Sequence, residues 1–78
     1  MTITQIKVRT ERGIYAEKCY SLSETSERVF MIQECDNVIG VEVISMETGE
    51  ILYHYFPDTE DMYVSETFTV DLAEEVLG

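Results

Sequence analysis

The sequence predicts a small α+β domain, with an antiparallel sheet in the order ββαββ followed by a C-terminal strand and short helix. Three observations predict it. Two pairs of strand-like runs each turn at a glycine, Gly13 and Gly49. Between them lies a segment opened by the S-x-x-E spacing of a capping box, Ser21-Leu22-Ser23-Glu24. The chain has only 78 residues, so one domain, 1–78, accounts for all of it.

Ile6 and Val8 alternate with Lys7 and Arg9, the period of a half-buried strand, and Ile14 to Tyr20 resumes after Glu11-Arg12-Gly13. A three-residue loop pairs Thr10 with Ile14, which sets Val8 opposite Ala16 and Lys7 opposite Glu17 as an ion pair. The helix that Ser21 caps then runs to about Asp36-Asn37, with Leu22, Val29, Phe30 and Ile32 in one stripe. The rival assignment makes Arg28 to Cys35 a buried strand, since Val-Phe-Met-Ile suits either state.

Val38 to Met46 and Glu50 to Phe56 form the clearest hairpin. Pairing Met46 with Glu50 brings Val43 to Tyr53 and Val41 to Tyr55 on the core face, and leaves Ile44, Leu52, His54 and Phe56 on the other. Pro57 ends that run and Asp58-Thr59-Glu60-Asp61 is a solvated loop. Met62 to Val70 alternates as a fifth, edge strand, and Asp71 caps a short helix from Leu72 to Leu77.

Five basic residues stand against sixteen acidic ones, for a net charge of −11. That balance excludes direct nucleic-acid binding, which neutralises phosphate with Lys and Arg, and it disfavours an anionic membrane surface. No run approaches the length of a membrane span, and Lys7, Arg9, Glu11 and Arg12 interrupt any secretory core, so a cytoplasmic protein is expected. Cys19 and Cys35 are then expected as reduced thiols.

The charge is segregated. Residues 1–28 hold all five bases, Lys7, Arg9, Arg12, Lys18 and Arg28, against four acids, whereas residues 29–78 hold twelve acids and no Lys or Arg. Solubility needs less than this, and carboxylates crowded on one body repel. A row of carboxylates can instead imitate a phosphate backbone and dock on a basic protein. Glu42, Glu47, Glu50, Asp58, Glu60 and Asp61 are the expected contacts, displayed together by the second hairpin and the loop after it.

Motifs for catalysis and for cofactors are absent. Cys19, Cys35 and His54 lack the paired short spacing of a zinc site. Asp58 fails as the start of a calcium loop, with Tyr63 where glycine is required and Thr69 where glutamate is required. His54 faces Glu42 across the hairpin, which gives it a structural partner. The strip Ile44, Leu52 and Phe56 suggests a homodimer contact. In size, acidity and lack of a catalytic motif, the chain resembles in type the phage-encoded inhibitors of restriction or CRISPR nucleases. The expected function is thus a non-enzymatic inhibitor that mimics nucleic acid toward a nuclease or other basic nucleic-acid-binding protein. The alternative is a small homo-oligomeric adaptor or regulator whose acidity is incidental.

Overall fold

The computed structural model describes residues 2–77, which form one five-stranded antiparallel sheet and two helices. The first hairpin joins β1 (Thr4–Thr10) to β2 (Gly13–Cys19). Its turn is one residue shorter than the sequence suggests, because Thr10 pairs with Gly13 and only Glu11 and Arg12 lie between. Gly13 takes φ of 146°, a conformation strained for any side chain, and so closes the shorter turn. The register shifts with it. Val8 faces Tyr15 and Lys7 faces Ala16, while Glu17 lies opposite Ile6 on the helix-bearing face. The expected Lys7–Glu17 pair is therefore replaced by one between Glu17 and Arg28, at 2.7 Å.

Residues Leu22–Gln33 form helix α1, so the helical assignment prevails over the strand, and it stops three residues short of Asp36. Ser21 caps it, its hydroxyl accepting from the Glu24 amide at 3.1 Å. The buried stripe is Leu22, Thr25, Val29 and Ile32, with spacings of three and four. Phe30 falls outside that stripe and is 67% exposed.

Strand β3 (Val38–Ser45) and strand β4 (Ile51–Phe56) pair as expected in their outer part, with Val43 opposite Tyr53 and Val41 opposite Tyr55. Between Val43 and Ile44 the register slips by one residue, which sets Ile44 opposite Ile51 and turns Leu52 into the core. Strand β5 is short, Asp61–Val64, and exposed along its length. Helix α2 (Glu66–Leu77) occupies the rest of the segment read as a strand. Phe68 and Leu72, four apart, pack against the core, which outweighs the β propensity of Thr67, Thr69 and Val70. Asp71 lies inside this helix rather than at its cap.

The sheet order is β2-β1-β3-β4-β5. Helix α1 packs on β1, β2 and β3, and α2 packs on α1 and β4, so both helices share one face. Ile6, Val8, Val41 and Val43 are fully buried beneath them. Each side chain of this kind contributes about 1.5–3 kcal/mol relative to exposure. Thr4 and Thr25 are also fully buried, and their hydroxyl oxygens lie 2.7 Å apart, joining β1 to α1. A second link ties the helices together. The Glu75 carboxylate on α2 accepts from the Leu22 and Ser23 amides at 2.9 and 2.8 Å, satisfying donors that α1 leaves free at its N-terminus.

Candidate protein-binding surface

Antiparallel strands decide where the acids appear. The turn between β3 and β4, the start of α1 and the start of α2 share one end of the sheet, called here the near end. The β1–β2 and β4–β5 turns and the end of α1 share the far end. Glu47 and Glu50 therefore lie at the near end, and Asp58, Glu60 and Asp61 at the far end. Strand β4 separates the groups, and its six residues span about 20 Å. The hairpin and its following loop do not display these carboxylates as one patch, because the loop returns the chain to the opposite end. Glu42 belongs to neither group. It is half-buried on the face without helices, directly between Lys7 and His54 in the ladder.

At the near end, Glu47, Glu50 and Asp71 border a shallow cleft of about 140 Å³ whose wall includes Leu22, Leu52 and Phe68. Glu50 also accepts from the Ser65 hydroxyl at 3.3 Å, which ties the β3–β4 turn to the start of α2. Asp71 was missing from the sequence-based set. The spacing of Phe68 and Leu72, one helical turn apart, is the signal that places it on this helix beside the cleft. At the far end the β4–β5 turn closes with Glu60 in a left-handed conformation, φ of 56°, and Asp58, Glu60 and Asp61 are all exposed.

His54 faces Glu42 in the ladder, but its polar contact runs the other way. Its Nε2 atom sits 3.2 Å from Asp61 Oδ2 without the alignment of a hydrogen bond. The ring leans against Phe56 and Tyr63, with centroids 5.3 and 5.7 Å away. The strip of Ile44, Leu52 and Phe56 is broken by the register slip. Ile44 and Phe56 remain on the open face, and Leu52 joins the core with only 4% exposure. Phe56 lies across Gly40, where an added Cβ would come within 2.8 Å of the ring.

Two other polar groups join elements of the fold, Glu75 on α2 and Tyr53 on β4. Hydrogen bonds from the Ser23 and Leu22 amides hold the Glu75 carboxyl below the usual glutamate range. Burial pushes the Cys19 thiol up, and Cys19 is a free, buried cysteine beneath α1, whereas Cys35 is free and exposed. Burial likewise raises the Tyr53 phenol, whose oxygen accepts from Gln33 at 2.6 Å. Cys19 is buried beneath α1, Cys35 is exposed beyond its end and His54 lies on the open face, and among the described residues no group of three His, Cys, Asp or Glu side chains is placed to hold a metal ion. No helix is long and apolar enough to cross a membrane among the described residues.

Charge segregation in the sequence becomes segregation across the sheet. Lys7, Arg9, Arg12 and Lys18 lie on β1, β2 and their turn, and Arg28 on α1 is bound to Glu17. The residues from 29 onward, free of Lys and Arg, complete α1 and build β3, β4, β5 and α2. One flank of the sheet thus carries Lys7, Arg9, Arg12 and Lys18, and the other carries no Lys or Arg, its acids lying mainly in the turns on either side of β4 and on α2. Compared with known proteins, the chain matches no family model, no curated protein and no solved structure.

Proposed function

We propose that this protein is a non-catalytic inhibitor whose acidic flank imitates a nucleic-acid backbone toward a nuclease or another basic nucleic-acid-binding protein. The observation that supports this reading most is the complete absence of Lys and Arg from β3, β4, β5 and α2. A duplex presents about one charge per 1.7 Å, so about 20 Å of it carries about twelve, of which about half face one binding groove. Glu47, Glu50, Asp58, Glu60 and Asp61 approach that number over a similar length. They come in two groups rather than an even row, which suits a partner with two basic contact zones about 20 Å apart. Glu42, set between Lys7 and His54, makes a smaller contribution than the other five.

Affinity capture from the native host at low salt, followed by mass spectrometry, tests the idea. Retained proteins are expected to be nucleic-acid-binding enzymes, displaced both by added salt and by duplex DNA or RNA. Reversing charge at one end, with Glu47→Lys and Glu50→Lys, and at the other, with Asp58→Lys and Glu60→Lys, should each weaken capture. Capture unchanged by both pairs of substitutions would refute the proposal.

A further inference from the structure

Both helices cover the same side of the sheet, so among the described residues neither helix packs on the opposite side. An antiparallel sheet with one solvated face ordinarily fills that face with polar side chains. This one places Ile14, Ile44, Ile51, Phe56 and Tyr63 there, and Ile14, Ile51 and Tyr63 are 58%, 42% and 46% exposed. The charges among them are divided by strand. Lys7, Arg9 and Lys18 lie on β1 and β2, Glu42 lies on β3, and Asp61 lies on β5. The middle strand of the five, β3, separates the two halves.

We infer that this face binds a second copy of the chain, sheet on sheet, about a two-fold axis that runs parallel to the strands over β3. That axis is selected by charge. Turning a copy about it lays β1 over β4 and β2 over β5, so the basic half of each protomer covers the acidic and aromatic half of its mate. A two-fold axis perpendicular to the strands would lay bases on bases. The rows of the ladder make the contact specific. Ile14, Arg9, Gly40, Phe56 and Asp61 form one row across the sheet, as the pairings of β1 with β2 and β3, and of β4 with β5, require. Under the proposed axis Arg9 of one protomer stands over Phe56 of its partner and beside the partner's Asp61. Sheets pack about 10 Å apart, within reach of an Arg side chain that meets a carboxylate halfway.

In the next row, Glu42 comes to the axis. There it meets its counterpart, and each carboxylate is flanked by its own Lys7 and by that of its mate. Five strands at about 4.8 Å spacing and about 20 Å length give a footprint near 500 Å² for each protomer. That is at the lower limit of specific interfaces, which suits a weak, concentration-dependent dimer.

Light scattering and sedimentation equilibrium on the intact chain test this. The wild-type mass should rise from 9.0 kDa to twice that value as concentration reaches about 0.1 mM. Arg9→Glu and Asp61→Arg should each weaken dimerisation by about tenfold or more, and the double variant Arg9→Glu/Asp61→Arg should restore it. Both positions are exposed, and unchanged circular dichroism would verify folding. A wild-type chain that stays monomeric at every concentration overturns the inference. So does a dimer indifferent to both single variants, which would assign the contact to an edge strand, and so does a double variant no better than its parents. The readout is self-association alone, so its failure is distinguishable from failure of the acidic-flank proposal; in the dimer Asp61 serves the sheet contact and Glu47, Glu50, Asp58 and Glu60 remain for a basic protein.

Discussion

Removing the hydroxyl of Thr25 should cost more than removing that of Thr4, although the two oxygens lie 2.7 Å apart and both residues are fully buried. The direction of the bonds gives the reason. The Thr25 hydroxyl donates to the Ser21 carbonyl at 2.7 Å, so its single proton is committed and Thr4 must be the donor between the two threonines. In Thr25→Val the Thr4 hydroxyl is left buried with no acceptor, and a stranded group of this kind costs about 1–3 kcal/mol. The Ser21 carbonyl is less affected, because it also accepts from the Thr25 amide at 3.0 Å. In Thr4→Val the Thr25 proton keeps its acceptor and only one hydrogen bond is lost, for about 0.5–1.5 kcal/mol. The double variant leaves neither hydroxyl, so its cost should fall below the sum of the single costs by about 1 kcal/mol. Urea denaturation of the four proteins measures these differences, and in thermal melts the Thr25→Val midpoint should fall by about 10 °C. Additive costs, or a Thr4 variant less stable than the Thr25 variant, would refute the proposed bond directions.

Two further substitutions probe other joints of the fold. Glu75→Gln should destabilise the protein at neutral pH, because it weakens the acceptor for the Leu22 and Ser23 amides. Since folding lowers the Glu75 pKa, the stabilisation is fully present above the ordinary glutamate value of about 4.3 and is lost as pH falls through the depressed one. Urea midpoints of wild type and variant should converge in acid, and a constant difference at all pH values would exclude the charged latch. Gly40→Ala should cost about 1–3 kcal/mol by driving a methyl into the Phe56 ring. The cost should shrink in a Phe56→Ala background, and an undiminished cost would show that the ring is not the obstacle.

Local chemistry explains which parts of the fold were legible in the sequence. The register of the second hairpin over Val41, Val43, Tyr53 and Tyr55 is legible because it sets aromatic against β-branched residues on one face. Ser21 and Glu24 marked the start of α1 for an equally local reason, the reach of one hydroxyl to one amide. Sequence and structure part where the deciding contact is distant. Glu66 to Val70 alternates like a strand, and only the docking of Phe68 and Leu72 on a core assembled elsewhere makes it helical. The first hairpin lost its expected register because Glu11-Arg12-Gly13 suits either a two- or a three-residue turn, and nothing within those residues chooses. The same limit applies to the surface. The list of acids was read from the chain, but their division between two ends depends on the direction of β4, and the charge balance across the sheet depends on β1 being inserted between β2 and β3.

The Glu75 latch also bears on the order in which the protein can fold as it is synthesised. Helix α1 is complete in sequence by Gln33, yet two amides of its first turn wait for a carboxylate more than fifty positions later. Translation at about 5–20 residues per second leaves that turn without these acceptors for about 2–8 seconds. During this interval Ser21 caps the helix without that latch, with β1 and β2 already made and β3 and β4 still arriving. Emergence of α2 is thus the event that closes the domain.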